Sequence, residues 1–320
     1  MHMKTYLVLP ALFLLCACGP RGGKAASESP AKREFPKMDV PSMYTDDQER
    51  VTWMVGHFWD RFTDTSKVYS CDSLTVNGVP VTEVESQMGL FTTLLGQLPL
   101  EVGGPAVARM FNQVEAFQLK YPYSNVFKEV SRLTEHYLYD PNSPVRNDDL
   151  YFYYVEKLST TELLDSTYQM KYAWDARRCA QNRVGTPATD FAFTDTHGHL
   201  RTLYGVKADY TVLIFANPGC QACQEITAAM SASPTISALV ESGRVKVVDV
   251  YIDQEIDDWK AHIADYPADW INGYDHLYRI RTELIYNIRG IPSIYLLDKD
   301  KTVLMKDAPD DIVLRALENL

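Results

Sequence analysis

Cys220 and Cys223, in the stretch Asn217-Pro-Gly-Cys-Gln-Ala-Cys223, are the residues whose types and spacing point most directly to chemistry. One helical turn separates the two thiols, so they can close a disulfide with each other. The apolar run Tyr210–Ala216 before them reads as a strand, and the pattern Glu225–Met230 after them reads as a helix. The first thiol then sits at a helix N-terminus, where free N–H groups and the dipole favour its thiolate. The second lies deeper and can attack a mixed disulfide formed on the first. Two sulfurs carry such a redox step by themselves, so no cofactor is expected. A lone Cys-x-x-Cys also fits half a metal site or a structural disulfide. The chain offers no second such pair for zinc, no Gly-rich phosphate loop and no ordered acid/base pair.

The elements that would position this pair lie on either side of it. Phe191–Leu200 reads as a hairpin with Gly198 in its turn, leaving His197 and His199 as turn residues. After the Cys helix, Pro234 marks a break. Arg244–Ile252 is the next strand and Glu255–Tyr266 a helix. Trp270–Tyr274 reads as a connector and His276–Ile285 as helix. Then come Ile291-Pro292 entering a strand, a turn at Asp298–Lys301, a last strand at Thr302–Lys306 and a closing helix at Asp310–Leu320.

The opening Val184-Gly-Thr-Pro-Ala-Thr-Asp-Phe191, the strand–Cys-x-x-Cys–helix order and Ile291-Pro292 together resemble TlpA/ResA-like, redoxin-type thioredoxin domains, from about residue 184 to the C-terminus. The resemblance implies an α/β thioredoxin-like domain. It makes Cys220 the attacking thiol and Cys223 the resolving one, with protein thiols or disulfides as substrates and an upstream electron donor. It also makes Ile291 and a cis Pro292, with Gly219, the walls of a substrate groove. The chain departs from the family in several places. Gly219 stands where Trp is usual, Thr189 replaces the Pro before Asp190, and Ile214 occupies the strand position of the buried acid of true thioredoxins. Ile226 stands where the relatives commonly have Glu; Glu225 lies one residue earlier, about 100° round the helix. Glu225 is thus a candidate proton relay to Cys223 or a solvated side chain, and the sequence leaves both open. Gln221-Ala222 between the cysteines does not fix the reduction potential. Peroxide reduction is disfavoured, because Pro218 is too close to Cys220 and no Thr lies between them.

Ahead of this domain, residues 44–182 read as mostly helical. Thr45-Asp-Asp-Gln48 suggests a capping box, and Val51, Met54, Val55, Phe58, Trp59 and Phe62 fall on one helix face. Further helices are expected from Thr82, with Pro105 in a first turn, from Val126, and over Thr167–Arg178. The pieces His57-Phe-Trp-Asp-Arg-Phe62, Tyr137–Asp149 and Gln181–Gly185 resemble a helical domain of unknown function found before thioredoxin domains in bacterial lipoproteins. Asp140, Asn142, Arg146 and Asp149 are read as organising a loop in preference to lining a binding surface.

The first residues carry Lys4 and an apolar run, Thr5–Leu15, too short to span a bilayer. Leu15-Cys-Ala-Cys18 resembles a bacterial lipobox, which implies cleavage after residue 17 and a lipid anchor on Cys18. Gly19 after the anchor, where an Asp would resemble an inner-membrane retention signal, suggests the outer membrane, and the lack of an acidic export signal just after Cys18 suggests its periplasmic face in preference to the cell surface. The expected organisation is a signal peptide at 1–17, a flexible Gly/Pro/Ser-rich tether at 18–43, a helical domain at 44–182 and a thioredoxin-like domain at 183–320. Hydrophobic residues at 46% and charged ones at 23% mark a globular chain, and the net charge of -11 argues against nucleic acid. Cys71 and Cys179 are left as a pair, a relay or free thiols. The rival functional reading is a non-catalytic binding lipoprotein in which Cys220–Cys223 is a structural disulfide.

Overall fold

A computed structural model describes residues 33–320; the expected signal peptide, the Cys18 anchor and most of the tether lie outside the described residues. The described residues, 33–320, fall in one compact unit. Its first half is α-helical around a small hairpin: α1 (Asp47–His57), β1 (Thr75–Val76), β2 (Val79–Pro80), α2 (Val81–Leu95), α3 (Leu100–Lys120), α4 (Val126–Leu138), α5 (Asp148–Leu158) and α6 (Ser166–Cys179). Short side chains with oxygen acceptors begin several of these helices. Asp46 caps α1, Asn147 caps α5 and Asp165 caps α6, each accepting from backbone N–H groups of the first turn.

Four details of this half differ from the sequence expectation. The cap of α1 is Asp46, not Thr45, and α2 enters from Pro80 without a side-chain cap. Pro105 lies inside α3, beyond its first turn, directly after Gly103 and Gly104. These glycines let α5 approach: a Cβ on Gly103 would come within 2.9 Å of Leu150. The hairpin at 75–80, closed by Asn77 and Gly78 with positive φ, was not anticipated. The tether also ends sooner than expected. Phe35 is buried, stacks on Phe62 at 5.1 Å and meets Trp59 edge-on at 5.6 Å, while its N–H donates to Glu83. One aromatic side chain in a Pro/Lys-rich stretch has enough apolar area to hold that strand of chain to the helical core.

The second half contains β3 (Ala192–Asp195), β4 (Leu200–Thr202), β5 (Tyr210–Phe215), α7 (Gln221–Ala232), α8 (Pro234–Glu241), β6 (Val245–Tyr251), α9 (Ile256–Ala261), β7 (Ile271–Tyr274), α10 (Arg279–Thr282), β8 (Ser293–Asp298), β9 (Val303–Lys306) and α11 (Asp310–Glu318). The seven strands make one sheet in the order β4-β3-β7-β6-β5-β8-β9. β5 and β6 are parallel, as are β6 and β7; β5 and β8 are antiparallel. Side chains alternate across the sheet. Val212, Ile214, Val245 and Val247 face the side covered by α7, α8 and α11, and Leu213, Phe215, Val248 and Val250 face the other core.

Two elements of this half also depart from expectation. Ile271–Tyr274 is a strand, not a connector, paired with both β6 and β3. Asn272-Gly273 looks like a turn, but Gly273 is needed for close packing: a Cβ there would lie 2.6 Å from the Phe193 ring and 2.7 Å from the Thr194 carbonyl. The helix expected over His276–Ile285 shrinks to α10, because Tyr278 and Leu284, at φ 54° and 53°, turn the chain out of the helical region on both sides.

The halves are joined by buried charge. Lys306 at the end of β9 has a side chain 1% exposed, 3.3 Å from Asp148 and 3.4 Å from Asp149 of α5, and donates to the Cys179 carbonyl at 2.6 Å. Arg146 donates to the carbonyls of Asp307 and Ala308. Asp149 further accepts from the Val184 N–H and pairs with Arg183. Arg146 and Asp149 therefore dock the halves together, a role beyond the loop organisation expected of them; Asp140 does organise its loop, accepting from the Asn142 N–H.

Candidate redox site

The Cys pair lies where β5 ends and α7 begins, next to the start of β8. Cys220 is the N-cap of α7, and its Sγ accepts from the Cys223 N–H at 3.2 Å. Cys220 and Cys223 are joined as a disulfide, with Cα atoms 5.2 Å apart. Their environments differ. Cys220 is half-buried at the surface, while Cys223 is 5% exposed and belongs to the buried cluster that holds Ile214, Ile226 and Ala216. α7 has no acidic residue in its first turn, so its N-terminal N–H groups and dipole act unopposed on Cys220.

The facing wall is the segment before β8. The Ile291–Pro292 peptide is cis, and the Ile291 carbonyl oxygen lies 3.8 Å from Cys220 Sγ. Gly219 is exposed, adopts φ +74° and has open space where a Cβ would stand, so the left-handed backbone is what requires glycine there. Glu225 lies on the outer face of α7. Its carboxylate is exposed and accepts from Gln221 at 2.8 Å. Two residues from inward-facing Cys223, it points away from it, which is the solvated alternative.

The helical half holds this wall in place. Leu284, Ile285 and Tyr286 offer their carbonyls to Arg178, Gln181 and Asn182. Asn287 donates to Asp148 at 2.9 Å, and Arg289 pairs with Asp307 at 2.7 Å while stacking over Tyr139. Pro141 packs against Gly290, the residue before Ile291. Cys71 and Cys179 are unpaired; Cys179 is fully buried, which pushes its thiol well above the ordinary range. His197 and His199 stack at the β3–β4 turn, and among the described residues no group of three or more His, Cys, Asp or Glu is arranged for a metal ion.

The structure adds one residue that the sequence reading passed over. Asp249 on β6 is the register partner of Ile214 and lies on the same face of the sheet as Ile214 and Cys223. It is 1% exposed, and neither carboxylate oxygen has a hydrogen-bond partner. Burial alone pushes its carboxyl up to about 7. The signal was present as a single acid inside the apolar run Val245–Ile252. Between α7 and the segment 262–267, a cleft of about 390 Å³ is lined by Ala216, Cys223, Thr227, Tyr266 and Pro267, among others.

A helical half followed by a mixed sheet with a Cys-x-x-Cys helix and a cis-proline wall defines a thioredoxin-like protein with a helical N-terminal domain. The family model described as "Domain of unknown function (DUF5106)" matches residues 21–182, half of the chain, and the chain belongs to that family. A crystal structure of a thioredoxin-like protein from Bacteroides caccae superposes with a TM-score of 0.78 at 29% identity, covering 89% of this chain and 98% of that one. The C-terminal domain of an uncharacterized protein from Bacteroides fragilis is 44% identical over 43% of this chain and 99% of its own, with a TM-score of 0.42. The thioredoxin domain of a thiol-disulfide oxidoreductase from Bacteroides vulgatus is 24% identical over 43% of this chain and 96% of its own, with a TM-score of 0.39. No curated protein matches the chain.

Proposed function

We propose that this chain is a membrane-tethered thiol–disulfide oxidoreductase acting on protein thiols and disulfides. The observation that carries the reading is the asymmetry of the pair: a reachable Cys220 capping α7 beside the Ile291 carbonyl, with Cys223 buried beneath it. In the reductive direction the Cys220 thiolate attacks a substrate disulfide, forms a mixed disulfide and releases one substrate thiolate. Cys223 then attacks the Cys220 sulfur, releases the second substrate thiolate and leaves Cys220–Cys223 oxidised. Two electrons pass from the dithiol to the substrate, and a dithiol donor upstream restores the starting state. The sulfurs need no further cofactor.

Insulin reduction with dithiothreitol as donor tests this. Wild type accelerates precipitation of the insulin B chain, Cys220→Ser is inactive, and Cys223→Ser accumulates a mixed disulfide visible by mass spectrometry. Equal rates for wild type and Cys220→Ser would instead leave a binding lipoprotein with a structural disulfide. The lipid anchor on Cys18 and a periplasmic, outer-membrane location belong to the same proposal and rest on Leu15-Cys-Ala-Cys18 and Gly19. Metabolic labelling with a radioactive fatty acid should mark the protein and be lost in Cys18→Ser.

A further inference from the structure

We propose that Asp249 exchanges a proton with Cys223 during the resolving step, an inference that rests on the redox reading of the Cys pair. The placement comes from the sheet. Val212 and Ile214 on β5 face α7, and the parallel register pairs Val212 with Val247 and Ile214 with Asp249. Cys223 belongs to the same buried cluster as Ile214, and Asp249 stands beside Ile214 at one strand spacing, roughly 5 Å between backbones, on the same face. Next to it on β7 is Asn272, whose Nδ2 is committed to the Pro267 carbonyl at 3.0 Å and whose Oδ1 has no partner. That neighbour offers an acceptor and no free donor, which suits a protonated acid.

The groups that face Asp249 leave its proton free to move. α7 presents Cys223, and the segment after α9 presents Tyr266, whose hydroxyl burial and the Asp249 charge push upward; Asp265 and His262 stand on the cleft wall. On its own strand the next titratable residue of this face is Tyr251. None of these supplies a cation or a hydrogen bond to the carboxylate among the described residues. A carboxylate fully buried without a partner is costly to hold, and function is a common reason for such a group to persist. The cleft lined by both Cys223 and Tyr266 is open to solvent, so water reaches the Cys223 end of this path.

The step balances as follows. With the mixed disulfide on Cys220, the Cys223 thiol gives its proton to the Asp249 carboxylate. The resulting thiolate attacks the Cys220 sulfur, the Cys220–substrate S–S bond breaks, and the substrate leaves as a thiolate. When a donor dithiol reduces Cys220–Cys223, the Asp249 acid returns its proton to the departing Cys223 thiolate. Asp249 touches the reacting sulfur only through that proton, so its signature is in pH dependence and not in substrate binding.

Two measurements on the full chain test this. The Asp249 side-chain ¹³C resonance should titrate near pH 7 in the oxidised protein, and its midpoint should move by half a unit or more on reduction. The nearly isosteric Asp249→Asn variant should slow insulin reduction at pH 7 on the order of tenfold or more, with KM unchanged and the neutral-range inflection of the pH–rate profile gone. An Asp249 midpoint that is the same in both redox states overturns the proposal, as does a variant with the wild-type rate and profile. If wild type fails to reduce insulin, the oxidoreductase reading falls, and the NMR midpoints still report whether Asp249 and the Cys pair are coupled.

Discussion

At the junction of the halves, Asp148, Asp149 and Asp307 are buried with Lys306, Arg289 and Arg146 around them; beneath α7, Asp249 is buried with neither oxygen hydrogen-bonded. Burial pushes Asp149 and Asp307 upward too, but Lys306 and Arg289 pull in the opposite direction. On Asp249 burial acts alone. The first group is paired acid against cation and joins two parts of the chain. The second gains nothing structural from its charge. Paired buried charge of this kind specifies an arrangement, and unpaired buried charge beside a thiol supplies a movable proton.

That contrast can be attacked from both sides. Lys306→Met would leave Asp148 and Asp149 buried together without their cation. Its cost should be the largest, about 3–5 kcal/mol, read as a fall in the denaturant midpoint at pH 7. Asp249→Asn should have the opposite sign. The folded-state pKa of Asp249, about 7, lies above the ordinary aspartate value of 3.8. The folded protein therefore binds more protons than the unfolded chain between those values, and stability is lost as pH rises from about 4 through about 7. A rise of that size corresponds to at most about 4 kcal/mol. Asp249→Asn should flatten this part of the stability–pH curve and exceed wild type above pH 7, a variant both slower and more stable. A steeper curve for the variant would mean the carboxylate is paired after all. Glu225→Gln, on the solvent side of the same helix, should be the smallest: within about 0.5 kcal/mol in stability and within about twofold in insulin reduction.

Local signals explain what could be read before the fold was known. The Cys pair, the strand leading to it and Ile291-Pro292 announce themselves within a few residues, and the helical stripes from Val51 to Tyr137 repeat at helical spacing. β7 was hidden because Asn272-Gly273 has turn chemistry, and its strand character comes from pairing with β6 and β3. Asp249 was hidden for a related reason: its meaning depends on Ile214 in the neighbouring strand, and attention to Ile214 alone suggested that a buried acid was absent. The Lys306 cluster joins residues more than 100 positions apart, which no window of sequence displays. Phe35 in a Pro-rich stretch shows the same limit on a smaller scale.

Lys306 has a further consequence, one of timing. Its three partners, Asp148, Asp149 and the Cys179 carbonyl, all precede it by more than 120 residues. A chain is synthesised from its N-terminus, so the receptor for this ammonium exists before the ammonium does. β9, the last strand and one rim of the sheet, is made after the residues that anchor it, residues 185–188 that bond along it included. Swapping the order of the halves would ask the sheet to hide a cation with nothing yet there to receive it. The two halves are thus ordered in synthesis as well as in space, with every partner of this ammonium made before it.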